Sequence, residues 1–374
     1  MSPQLRNLAS LPLLSAIASL AHALPNYDQA LLLEDSSETS ASVSIGDING
    51  DGNLDIVLAK GRHWPLVNRV LFGNGQGSFP KARDLSPESE RTYSGALADI
   101  DGDGDLDVIA SNDKPDINRI YLNEGDGAYR AASTFGEPTW PTRYICLADL
   151  NADGAPDIIV ANRRGKRSGN NFICLNDGSG KFDSESIPFA PYSSTTITPA
   201  DFNQDGLIDL AVPHRDGGQG YLFIQTNKTK IEFAKTPFGP PDASIRMSRA
   251  ADLDGDGDLD LATIDTERGL SIYFQDSNGE FSRKRDFGKP PAMPYALTLS
   301  DLNGDGSPDI IVGYRGAVSE IHFNENDGNS FTRTTFGDGK GAVYGFAIGD
   351  LNEDGIPDIA TARSNAPNIV YFGQ

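Results

Sequence analysis

Seven short stretches of this sequence follow the pattern D-x-[DN]-x-D-G-x-x-D, which gathers side-chain oxygens around one point. Their oxygen-bearing positions are Asp47, Asn49, Asp51 and Asp55; Asp99, Asp101, Asp103 and Asp107; Asp149, Asn151, Asp153 and Asp157; Asp201, Asn203, Asp205 and Asp209; Asp252, Asp254, Asp256 and Asp260; Asp301, Asn303, Asp305 and Asp309; and Asp350, Asn352, Asp354 and Asp358. Calcium takes about six to eight oxygens from carboxylates, amide and backbone carbonyls and water. The seventh residue of each stretch would add its backbone carbonyl. The glycine at the sixth position, Gly104 in the second stretch, permits the backbone turn that wraps the loop around an ion. Carboxylates this close repel one another unless a cation lies among them. The expectation is up to seven calcium ions in a structural role, each pinning the strand before a loop to the strand after it. No Glu follows at a twelfth position and no helix pattern flanks the loops, so these are not EF-hands.

Charge supports the same division of labour. The chain carries 53 Asp and Glu against 31 Lys and Arg, a formal charge of −22. The seven loops hold 26 of the acids, which leaves 27 against the 31 bases elsewhere. The acidity belongs to the loops, and the remaining surface is mildly basic. With 18 Phe and 12 Tyr the chain is a packed globule, not an acidic disordered segment.

The elements that must position these loops recur with them, every 49–52 residues. In the second copy an alternating run, 94–98, leads into the loop. A buried-type run at 106–110 follows it, then a polar turn and a third strand at 119–123. A Gly-rich turn and a fourth strand at 129–132 complete the unit. With these strands termed A to D, four antiparallel strands in about 50 residues make one propeller blade. The seventh copy stops after its third strand, and the segment Tyr27 to Leu33 stands before Asp47 as Phe79 stands before Asp99. The predicted fold is all-β, a seven-bladed β-propeller whose N-terminal strand closes the last blade, which removes an open sheet edge.

Residues 1–23 read as a signal peptide: Arg6, an apolar run to Leu20, then the small-residue cleavage pattern Ala21-His22-Ala23. The propeller then occupies 24–374, exported and without a transmembrane segment, since no apolar run is long enough to span. Cys146 and Cys174 fall on strands separated by a third, too far apart for a disulfide, and are expected as buried hydrophobes.

These repeats resemble the FG-GAP or VCBS family, found in integrin α-subunit heads, some fungal lectins and several secreted polysaccharide lyases. The resemblance spans nearly the whole mature chain and implies the propeller and its calcium; it is weak for activity.

Topology supplies a candidate binding face independently. The A–B loops lie on one face, so the B–C turns and the crossings between blades lie on the other. Every B–C turn carries a base, among them Arg62-His63-Trp64, Arg163 to Arg167 and His214-Arg215. The crossings add Tyr93, Trp140, Arg143, Tyr144, Arg246, Tyr295 and Tyr344. Arginine forks and aromatic rings suit an acidic polysaccharide. Export and the lack of any nucleic-acid motif argue against nucleic acid. Among propellers with such repeats, ulvan lyases cleave sulfated, uronate-containing polysaccharide by β-elimination with His, Tyr and Arg. The roles here follow from residue chemistry and location on this face, without a residue-by-residue match to those enzymes: His63 or His214 as base or orienting group, Tyr144 or Tyr93 as base or acid, and Arg143, Arg62 or Arg215 as carboxylate clamps. The alternative is a non-catalytic lectin-like or adhesive module using the same face, in either case as a monomer. Unlike B–C turns in different blades favour one composite central site over seven equal pockets.

Overall fold

The computed structural model describes residues 24–165, 169–182, 186–325 and 328–374. The predicted signal peptide, residues 1–23, lies outside them. The described chain forms seven four-stranded antiparallel sheets and no helix. Blade 1 comprises Ser40–Gly46, Asp55–Lys60, Arg69–Phe72 and Lys81–Asp84; blade 2, Thr92–Ala98, Asp107–Asn112, Asn118–Asn123 and Tyr129–Phe135. Blade 3 comprises Thr142–Ala148, Asp157–Asn162, Asn171–Cys174 and Ile187–Phe189; blade 4, Thr198–Ala200, Asp209–Val212, Gly220–Gln225 and Phe233–Phe238. Blade 5 comprises Ile245–Ala251, Asp260–Asp265, Gly269–Phe274 and Arg283–Asp286; blade 6, Pro294–Ser300, Asp309–Tyr314, Ser319–Asn324 and Phe331–Phe336. Blade 7 holds Ala342–Gly349, Asp358–Ser364 and Ile369–Phe372, and Gln29–Leu32 pairs antiparallel with Ile369–Phe372 on its outside.

The burial of each strand follows its place in the blade. B strands are buried on both faces and read as unbroken apolar runs, because alternate side chains enter the layers on either side. In blade 1, Val57 packs with Val108 and Tyr121 of blade 2, while Ile56 and Leu58 pack with Ala360 and Ala362 of blade 7. Outer strands such as Lys81–Asp84 are exposed and charged, which blunts the edges they present. Cys146 and Cys174 are both free and buried.

One aspartate per blade fixes the strands at the loop end. Asp107, ninth in its loop, accepts from the Ile100 N–H at 2.9 Å and from the Asn123 N–H at the end of strand C at 2.8 Å. Asp55, Asp157, Asp209, Asp260, Asp309 and Asp358 do the same in their blades. The residue at or just beyond the end of strand C then reaches the preceding blade. The Asn123 side chain donates to the Ile48 carbonyl at 2.7 Å, with equivalents from Asn176, Gln225 and Asn324.

The first and last blades meet around a buried ion cluster. Lys60 is 1% exposed and pairs with Glu34 and Glu38, each at 2.5 Å. The other Glu34 oxygen accepts from Asn368 of blade 7 at 2.7 Å. Removing one member of a buried pair strands the other charge, so Glu34→Ala should cost about 3 kcal/mol in chemical denaturation. An unchanged midpoint would show that Glu38 alone satisfies Lys60.

Candidate functional site

The funnel at the B–C face owes its lining to a backbone irregularity. In six blades the A–B register slips just inside the start of strand A, and the extra residue is Ala41, Tyr93, Arg143, Arg246, Tyr295 or Tyr344. A bulge of this kind leaves one residue unpaired and re-aims its side chain. All six line one central cavity of about 240 Å³, together with Thr195, the equivalent residue of blade 4. The B–C turns add Arg62, His63, Arg163 and Arg215, and Tyr144 and Arg249 come from farther along strand A.

Six guanidinium groups therefore face one small space, and their compensation is uneven. Arg143 pairs with Asp113 at 2.6 Å and Arg163 with Asp216 at 2.6 Å. Among the described residues Arg62, Arg215, Arg246 and Arg249 form no carboxylate pair. Their hydrogen bonds go to neutral groups: the Ser364 hydroxyl, the Thr266 hydroxyl, the Tyr295 carbonyl and the Ser248 carbonyl. The Nε atoms of Arg62 and Arg215 are buried without a partner. Burial pulls Arg246 down to about 10, and the like charges of Arg215 and Arg62 act in the same direction. Burial, then Arg163, lowers Arg215 too. Against the burial that would raise it, Arg246 holds the Tyr295 phenol below its ordinary value. Tyr rings supply what charge pairing does not: Arg62 lies 3.8 Å over Tyr344, Arg246 4.0 Å over Tyr295, and Arg249 5.5 Å over Tyr144; the paired Arg143 also lies 4.3 Å over Tyr93.

On one wall of the funnel three groups form a chain. Asp113 Oδ2 lies 3.1 Å from His63 Nδ1, and His63 Nε2 lies 2.9 Å from the Tyr93 hydroxyl. Against its burial, His63 and Arg143 hold Asp113 below the usual carboxylate range, so it stays an acceptor. With Nδ1–H given to Asp113, Nε2 is left to take the Tyr93 proton, an arrangement suited to general base work.

Of the seven residues singled out by sequence, His63, Tyr93, Arg143, Tyr144, Arg62 and Arg215 all line this funnel. His214 does not. Its Nδ1 accepts the Asp216 N–H at 3.3 Å, its ring lies 6.0 Å from Tyr192, and burial lowers its pKa. Lys166 and Arg167 fall outside the described residues. Sequence reasoning gave no role to Asp113, Asp216 or Arg249. The first two stand in B–C turns and were legible only as turn residues.

The acidic loops at the opposite face differ among themselves. In the five loops with Asn at position 3, its side-chain amide donates to the Asp at position 5, as Asn49 does to Asp51 at 3.1 Å. These loops are closed by their own hydrogen bonds. The second and fifth loops have Asp101 and Asp254 there and lack that donor. Among the described residues Asp101 Oδ1 and Asp254 Oδ1 are buried without a partner, while the other Asp254 oxygen pairs with Arg283; oxygens of Asp99, Asp101 and Asp103, and of Asp252, Asp254 and Asp260, lie within 4.8 Å of one another. Burial raises Asp101, and it pushes Asp260 up to about 7. The donor chemistry of these two loops fits a hard cation best.

Fold and funnel together define a seven-bladed β-propeller with a cationic central pocket. The FG-GAP-like repeat model matches residues 47–110, 99–160, 149–212, 201–263, 252–312 and 301–361, and the chain belongs to that family. No curated protein matches the sequence. Among solved structures, BBS1N in complex with ARL6DN superposes with a TM-score of 0.64 at 13% identity, covering 94% of this chain and 97% of that one. An Agrocybe aegerita lectin, solved for its recognition of non-reducing terminal N-acetylglucosamine, gives 0.57 at 20% identity over 80% of each chain. Chaetomium thermophilum Raptor gives 0.60 at 12% identity, over 94% of this chain and 29% of that one. At these identities the likeness is one of fold. Among the described residues no helix is long and apolar enough to cross a membrane.

Guanidiniums held together without counter-charges strain the folded state. Arg215→Gln should therefore raise stability, by about 1 kcal/mol in thermal or denaturant unfolding. A fall of similar size would mean that Arg215 is satisfied within the protein and is not waiting for an anion.

Proposed function

We propose that this propeller is an exported enzyme that holds an acidic polysaccharide in its central funnel and cleaves it by β-elimination. The observation that carries the reading is the Asp113–His63–Tyr93 chain beside guanidiniums that lack carboxylate partners among the described residues. An elimination next to a uronate needs a cation on the carboxylate, a base for the C5 proton and an acid for the leaving oxygen. Arg62, Arg215 and Arg246 supply the first, drawing charge from the carboxylate and acidifying C5–H. Tyr93, its proton passed to His63 Nε2, takes the C5 proton; the electron pair forms the C4–C5 double bond, and the C4–O bond breaks. The proton on His63 or Tyr93 then goes to the leaving glycosidic oxygen. Arg143, stacked on Tyr93 and paired with Asp113, stabilises the phenolate and holds the chain in place.

Incubation with uronate-containing sulfated polysaccharides should produce the ultraviolet absorbance of an unsaturated uronate. Tyr93→Phe should lower the rate by a factor of about 100 or more while binding persists, since a general base contributes about that much. Retention on the same polymers with no unsaturated product would leave the funnel a lectin-like binding site.

Calcium is the second part of the proposal, held most tightly by the second and fifth loops. Asp99, Asp101 and Asp103 in the one, with Asp252, Asp254 and Asp260 in the other, would bind it and tie strand A to strand B. Chelation should lower the melting temperature, and Asp101→Asn with Asp254→Asn, which installs the amide found in the other five loops, should remove most of that sensitivity. A melting curve indifferent to chelator would exclude structural calcium.

A further inference from the structure

The B–C turn of blade 1 presents three consecutive side chains in three different ways. Arg62 and His63 line the funnel, whereas Trp64 is 65% exposed, the most exposed large apolar side chain among the described residues. Its neighbour among aromatic rings is His63, edge-on at 5.9 Å. The other tryptophan, Trp140, is buried and stacked on Phe172 at 4.1 Å.

A loosely held turn could leave an indole in water by accident, but this one is fastened along its length. Gly61 N–H donates to the Thr39 carbonyl at 2.8 Å, Arg62 N–H to Thr92 at 3.1 Å and Trp64 N–H back to Gly61 at 3.0 Å. Leu66 and Glu90 exchange both backbone hydrogen bonds, at 3.0 and 2.9 Å. Gly61 sits at φ 111°, where a Cβ would meet the Glu90 carbonyl oxygen at 2.2 Å. Arg62, which is not glycine, is held at φ 54°. Strain of this kind persists where surrounding structure enforces it and collects at binding sites. The outcome is a fixed backbone that presents the indole at the lip of the funnel, edge-on to His63, with most of its surface in solvent.

We propose that Trp64 is a stacking platform for a pyranose ring of the same acidic glycan, one position outside the funnel, so that the chain leaves the site across the rim of blade 1. This rests on the acidic-glycan reading of the funnel and adds a direction and a second recognition element to it. The apolar face of a pyranose meets the indole while its anionic groups face the arginines, so recognition grows with chain length. A free uronate monosaccharide engages the arginines alone.

With only two tryptophans in the chain, intrinsic fluorescence reads the site directly. Uronate-containing oligosaccharides of increasing length, and the free uronate, are titrated into the wild type, Trp64→Ala and Trp64→Phe, with calorimetry as a label-free check. Wild-type emission should change with the longer oligosaccharides and not with the monosaccharide. Trp64→Ala should lose about tenfold in affinity for the longer ligands, the scale of one aromatic stacking contact, and nothing for the monosaccharide. Trp64→Phe should recover most of the loss. Equal affinities of wild type and Trp64→Ala for long oligosaccharides would overturn the platform while leaving the funnel reading intact. A wild type that binds no acidic saccharide of any length by calorimetry would overturn both. Exposure of Trp64 makes misfolding of the variants easy to exclude by their melting curves.

Discussion

The structure depends on a carboxylate with two obligations. The ninth residue of each acidic loop is buried, and each of its oxygens answers a backbone N–H, one at the start of the loop and one at the end of strand C. A side chain with two acceptors and no donor is the only short group that meets both demands, so aspartate recurs at this point in all seven blades. From there the order of the blade follows. Strand B is located against A through the loop and against C through the carboxylate. The residue at or just beyond the end of strand C then carries the connection to the previous blade through Asn123, Asn176, Gln225 and Asn324.

The two ends of the blades are consequently under different rules. At the loop end, backbone groups are satisfied within each repeat or with the neighbouring one, and, among the described residues, the unpartnered oxygens of Asp101 and Asp254 stand in the two loops that lack an Asn at position 3. At the funnel end the protein assembles like charges and, among the described residues, leaves four guanidiniums with neutral partners only. Local conflict of this sort runs against the consistency expected of a well-folded sequence, and such conflicts gather at functional sites. The framework below can carry that cost because its apolar layers are continuous around the ring.

Much of this was legible in the residues. The loop motif fixed the blade count, the spacing placed strands A to D, and the unpaired third strand at 369–372 pointed to a fourth from the N-terminal segment, which pairs there as Gln29–Leu32. The candidate face was also legible, since bases and aromatics recur in the turns and crossings. Register was not. A period-two reading of strand A assumes unbroken pairing, so it places Tyr93 and Arg143 on the right face without showing the slip that aims them into the funnel. For the same reason His63 and His214 looked equivalent in sequence, although only His63 lies beside a bulged tyrosine. The pairing of Asp113 with both His63 and Arg143 crosses three blades and leaves no trace in any local pattern.

The bulged residue has a further property. It stands outside the ladder, so the A–B pairing places no demand on its side chain. Reading around the ring gives Ala41, Tyr93, Arg143, Thr195, Arg246, Tyr295 and Tyr344: small, aromatic, cationic and hydroxylated side chains at one repeated backbone position. Such a ring behaves as a dial whose settings vary from blade to blade. Neighbouring settings touch, as Arg246 does Tyr295 and Tyr295 does Tyr344, so a new ligand preference is composed in adjacent pairs on an unaltered frame.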